Sequence, residues 1–99
     1  MSAEPTAAKP TRYLIVAQLK LTSIQALEQA IRNIGNTCAV ADTSWIVAST
    51  YPLGTIHNLL RPVVRPADQL LIVDADHAKA TWTGYGPSDE AKLRQMWNA

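Results

Sequence analysis

The chain of 99 residues is short of several things. It has one cysteine, Cys38, so an intrachain disulfide framework is excluded, and a reducing compartment is the natural expectation. It has little charge. Charged residues make up 17% of the chain, against roughly 25% in a typical domain. Nine Lys+Arg oppose eight Asp+Glu, which leaves a formal net charge of +1. That balance excludes a bulk basic field for nucleic acid and an acidic tail. The longest apolar run, Tyr13 to Ala17, is far too short to span a bilayer. The first ten residues contain no apolar segment of the kind a secretory signal needs, so a cytoplasmic protein without membrane association is expected. No Gly-rich phosphate loop, GxSxG-type elbow, internal repeat or low-complexity segment is present.

What is there is apolar. Hydrophobic residues make up 47%, which excludes a wholly disordered chain, and the length allows one small domain. A chain this small and this lightly charged exposes much surface relative to its volume. Apolar surface turned toward a partner would reconcile the two. Residues 1–11, with Pro5 and Pro10 and no large apolar residue after Met1, read as a disordered tail. Residues 12–99 then form the domain.

The patterning predicts alternating element types. Arg12 to Leu21 is a nearly continuous apolar run and reads as a central strand. Ile24, Leu27, Ile31 and Ile34 recur at helical spacing, with Thr22 and Gln25 as a capping box and Gly35 as a left-handed stop. Thr37–Val40 and Ser44–Thr50 read as a hairpin around Ala41–Thr43. Leu53–Leu60 reads as a short helix closed by Pro62. Gln69–Ala75 reads as another strand and Ala80–Tyr85 as a fifth, short one. A last helix is expected with Ser88 as its N-cap and Leu93, Met96 and Trp97 on its apolar face. The order predicts an α+β fold, ferredoxin-like βαββαβ, with an additional C-terminal strand and helix.

Two helices cover only one face of a four-stranded sheet. Period-2 alternation sets Tyr13, Ile15, Ala17 and Leu19 against Leu14, Val16, Gln18 and Lys20, and Leu71, Val73 and Ala75 against Leu70, Ile72 and Asp74. Both faces are largely apolar. The expectation is a homodimer packing sheet on sheet through Leu14, Val16, Gln18, Leu70 and Ile72, with Trp82 at the seam.

Several short blocks also resemble a known group. An opening strand Tyr13-Leu14-Ile15, the hairpin Asp42-Thr43-Ser44-Trp45-Ile46-Val47, the ending Leu60-Arg61-Pro62, the turn and strand from Asp68 to Val73, and Ala80-Thr81-Trp82 occur in order. The chain resembles the SinR-like proteins, small bacterial and phage relatives of the Cas-two family of CRISPR-associated endonucleases and integration scaffolds. The resemblance spans roughly Arg12 to Tyr85. It implies a ferredoxin-like homodimer whose fifth strand reaches toward the partner. In Cas-two-type nucleases an aspartate near the end of the first strand is proposed to hold a divalent metal at the dimer interface. Here the aligned position is Gln18, and a neutral amide is a poor ligand for a hard cation that favours carboxylate oxygen.

The candidate chemistry is sparse. Asp74 and Asp76, followed by His77, are a weak Mg²⁺ or Mn²⁺ signal; the alternative is a solvated strand end. His57 reads as an exposed helix histidine and Cys38 as a buried structural thiol. Arg12, Lys20, Arg61 and Arg65 are candidate phosphate contacts, with Trp45, Trp82, Tyr85 and Trp97 as candidate base-stacking groups or, alternatively, core and interface anchors. Three readings follow. The favoured one is a homodimeric binding or scaffold protein without cofactor or catalysis. The others are a metal-dependent ribonuclease or deoxyribonuclease, and a nucleic-acid-binding module.

Overall fold

The computed structural model describes residues 9–98, and of Asn98 only the backbone. Seven elements follow in order: β1 (Thr11–Gln18), α1 (Ile24–Arg32), β2 (Asn36–Ala41), β3 (Ser44–Ser49), α2 (Leu53–Leu60), β4 (Gln69–Asp74) and α3 (Pro87–Asn98). The four strands form one antiparallel sheet in the order β2-β3-β1-β4. The fold is therefore mixed α+β. The expected tail at residues 1–11 falls largely outside the described residues, and Thr11 already belongs to β1.

β1 is central because almost every residue in it is apolar, so both of its faces can be buried. Tyr13, Ile15 and Ala17 point to one face. There they meet Trp45 and Val47 of β3, Leu27 and Ile31 of α1, and Ile56 and Leu60 of α2. This is the main core, and Trp45, 1% exposed, is its largest fully buried side chain. The opposite face carries a second cluster of Cys38, Ile46 and Leu93, with Leu14, Val40, Trp82, Tyr85, Met96 and Trp97 packed around it. α3 thus lies on the far side of the sheet from α1 and α2, and its apolar face is the Leu93, Met96 and Trp97 set that helical spacing predicts.

Five local expectations are corrected. Residues 80–85 form no strand; Trp82 and Tyr85 instead pack as loop residues on the second cluster. β1 ends at Gln18 rather than Leu21, because the Lys20 and Leu21 amides turn to donate to the Asp68 carboxylate. The α1 cap is Ser23, whose Oγ accepts from the Ala26 amide at 3.1 Å. Thr22 spends its hydroxyl on Asp68 instead. Ser88 lies within α3: Glu90 N–H donates to Gly86 O at 2.9 Å, which makes Gly86 the cap and Pro87 the first helical residue.

Gly35 does not adopt a positive φ; among the described residues Gly84 is the glycine that does. Its role is close approach. A Cβ at Gly35 would collide with the Ala48 carbonyl of β3, so the α1–β2 turn can lie directly on the sheet only with glycine there.

Candidate interaction surface

The sheet face opposite α1 and α2 is only half covered. α3 and residues 75–86 lie over β2, β3 and the first half of β1. Among the described residues no element lies over the remainder of β1 or over β4 on this face. β1 and β4 pair with Leu14 opposite Val73, Val16 opposite Leu71 and Ile15 opposite Ile72. Directly paired residues share a face. Leu71 and Val73 therefore stand on the open face beside Val16, and they are 58% and 39% exposed.

This reverses the expected phase of β4. Leu70 and Ile72 belong to the α1/α2 side, half-buried against the main core. Leu14 and Val16 do lie on the second face, Leu14 against the second cluster and Val16 half-buried. Gln18 is exposed at the end of β1 opposite Gln69. Trp82 packs on its own chain's Cys38, Ile46 and Leu93 cluster. The expected surface thus moves from Leu14, Val16, Leu70 and Ile72 to Val16, Leu71 and Val73.

The basic candidates divide between the two ends of the sheet. Asp68 gathers one end. Its Oδ1 accepts from the Lys20 and Leu21 amides at 2.6 and 2.9 Å, and its Oδ2 from the Arg65 amide at 2.9 Å and the Thr22 hydroxyl. These donors hold the Asp68 carboxyl well below the usual carboxylate range, the Thr22 hydroxyl first and the Leu21 amide second. The same contacts bring the exposed Lys20 and Arg65 together, near Arg61 at the end of α2. The sequence offers only a Pro-Ala-Asp turn as a sign of Asp68's role.

Arg12 lies at the other end of β1 and is half-buried. Its Nη1 donates to Met96 O at 3.1 Å, its Nη2 donates to Asp76 O, and its guanidinium stacks over Trp97. Its Nε is buried without a partner. Arg12 therefore ties β1 to α3 and is not a free phosphate contact. It forms one wall of a cleft of about 480 Å³, with Asn36, Asp76 and Gln95.

The metal candidates do not converge. Asp74 is exposed at the end of β4, and its Oδ1 accepts the Asp76 amide at 2.9 Å in a local turn. Among the described residues no group of three or more His, Cys, Asp or Glu side chains is placed to hold a metal ion. The two carboxylates act instead on Tyr13, where burial first and Asp74 second push the phenol pKa up. The aromatic candidates are engaged elsewhere. Trp45 is core, Trp97 carries Arg12 and donates to Ala78 O at 3.0 Å, and Tyr85 donates to Val40 O at 2.7 Å. His57 is exposed on α2 and Cys38 is buried.

The molecule these features define is an α+β chain with one half-open sheet. No family model, curated protein or solved structure matches it. Among the described residues no helix is long and apolar enough to cross a membrane.

Proposed function

We propose that the chain is one protomer of a homodimeric binding or scaffold protein, built on a ferredoxin-like core of the kind found in SinR-like and Cas-two proteins. One observation carries the reading: the apolar strip of Val16, Leu71 and Val73 on the half of the sheet that α3 leaves open. A monomer gains nothing by holding these side chains in water, and a second copy covers them. The strand order β2-β3-β1-β4, with α1 and α2 on one face, supports the ferredoxin-like description.

Gln18 supports a non-nucleolytic role, since an amide replaces the carboxylate that the resemblance implies at this position. The test is sedimentation equilibrium from 1 to 100 µM. A dimer that Leu71→Lys with Val73→Lys dissociates is the expected result; a monomeric wild type overturns the reading. An assay on RNA and duplex DNA with Mg²⁺ or Mn²⁺ addresses the nuclease alternative. Cleavage that is lost on Asp74→Ala would replace the scaffold reading with that one.

A second reading, nucleic-acid binding, has one observation in its favour: Lys20 and Arg65 lie exposed together at one end of the sheet, with the exposed Arg61 at the end of α2 four residues before Arg65. It requires a gel shift that weakens with salt and with Arg61→Ala plus Arg65→Ala. Absence of a shift at low salt removes it.

A further inference from the structure

The two edges of the sheet are built differently. The β2 edge carries a register irregularity at Ala39/Ala41 and lies beside α3, whose Lys92 Nζ donates to Thr37 O at 3.4 Å. Bulges and covering elements are how sheets protect their edges from further pairing. Among the described residues, the β4 edge has none of these. Its six residues, QLLIVD, contain no proline and no lysine, and they pair with β1 without a register shift.

The direction of the unpaired groups on β4 follows from one hydrogen bond. Ala75 N–H donates to Arg12 O at 2.8 Å, so position 75 faces β1 through its backbone. Alternation along an antiparallel ladder then turns Val73, Leu71 and Gln69 inward to β1 as well. Leu70, Ile72 and Asp74 direct their N–H and C=O groups out of the sheet.

We infer that β4 pairs antiparallel with β4 of a second copy about a two-fold axis at Ile72, joining the two sheets into one of eight strands. This rests on the homodimer reading and specifies its interface. The register about Ile72 is the one in which all three outward residues meet outward residues: Leu70 with the partner's Asp74, Ile72 with the partner's Ile72, and Asp74 with the partner's Leu70. A register about Leu71 instead carries Asp74 beyond the partner's strand, opposite the partner's Asp68, a turn residue.

The same register brings exposed side chains together across the seam. Leu71 falls opposite the partner's Val73, and Val73 opposite the partner's Leu71, on the open face. These are non-hydrogen-bonded positions, where side chains approach most closely. On the other face the partner's Asp74 arrives beside Leu70. Leu70 shares an open groove of about 310 Å³ with Leu53, Gly54, His57 and Ile72, so a carboxylate is brought to the wall that His57 lines. A carboxylate meets a histidine twice, once on each side of the axis.

The test uses the full chain. Ile72→Pro removes an outward N–H at the axis without removing a hydrogen bond of the protomer's own ladder. The expected result is a rise of at least tenfold in the dimer dissociation constant with an unchanged far-ultraviolet circular dichroism spectrum. A second variant, Cys38→Ser with Ile72→Cys, covers the case in which proline disturbs the fold. Hydrogen-bonded antiparallel partners lie about 5.5 Å apart at Cα, within disulfide range. Oxidation is expected to give a covalent dimer, whereas Cys38→Ser with Leu59→Cys gives none. A wild-type dimer that forms no cross-link at position 72 overturns edge pairing and leaves the homodimer standing. A monomeric wild type removes both.

Discussion

The Arg12 guanidinium carbon lies 4.8 Å from the centroid of the Trp97 ring. Arg12 enters the sheet at the start of β1, and Trp97 stands in the last turn of α3. Their stacking, with the hydrogen bonds from Arg12 to Met96 O and Asp76 O, fastens the C-terminal helix to the central strand. Arg12→Ala is expected to destabilise the protein by about 2 kcal/mol in urea titrations, from lost charge-assisted hydrogen bonds and cation–π attraction. Arg12→Lys restores little of this, because an ammonium on a flexible stem reproduces neither the fork nor the stacked plane. Full stability in both variants would show that α3 docks by apolar contacts alone.

Asp68 predicts an acid limb in the stability curve. Its folded pKa lies below its unfolded value, which is about 3.9 for an aspartate. Its contribution is therefore present above about pH 4 and is lost as pH falls through the lower folded pKa. Asp68→Asn is expected to lower the thermal midpoint at pH 7 and to converge on wild type at the acid extreme. Parallel melting curves for the two proteins from pH 7 to pH 2 would rule this out.

Two glycines predict opposite signs. Gly35→Ala drives a methyl group into the Ala48 carbonyl and is expected to cost roughly 1–3 kcal/mol, as overpacking does. Gly54 lies in α2, and a methyl group added there meets nothing within 4 Å, so Gly54→Ala is expected to stabilise by about 0.5 kcal/mol. Denaturant midpoints decide both.

Cys38 is expected to be inert in the folded protein. Burial pushes its thiol pKa up, Asp89 adds to the rise and Lys92 opposes it. Its side chain packs with Ile46 and Leu93 beneath α3. Labelling by a disulfide reagent at pH 7 should be slow in buffer and immediate in denaturant. Arg12→Ala should accelerate it by loosening the helix above. Rapid labelling of the native wild type would contradict the packing.

The sequence and the structure agree where the hydrophobic pattern is unambiguous. Leu53–Leu60 is a helix at the expected residues, and Tyr13, Ile15 and Ala17 share a buried face by simple alternation. Agreement fails where the pattern is uniform. Leu70 to Val73 are all apolar, so nothing local says which side each faces; pairing with β1 decides it and places Leu71 and Val73 outside. Asp68 was invisible for another reason. Its partners Lys20, Leu21 and Thr22 are distant in sequence, and three of its four hydrogen bonds come from backbone amides, which carry no residue signature. Residues 75–86 lack any period and read as strand from β-prone Thr, Trp and Tyr, whereas Trp82 and Tyr85 serve as anchors of a loop.

The central place of β1 sets an order on synthesis. β1 is made before both strands it pairs with, and one of them, β4, emerges only some fifty residues later, the separation spanned by the Lys20–Asp68 bond. Until then a growing chain holds Tyr13 to Ala17 with an open flank. Contacts this distant slow folding and prolong the exposure of such flanks. A ribosome paused before residue 69 would therefore display the apolar centre of the sheet to any passing chaperone.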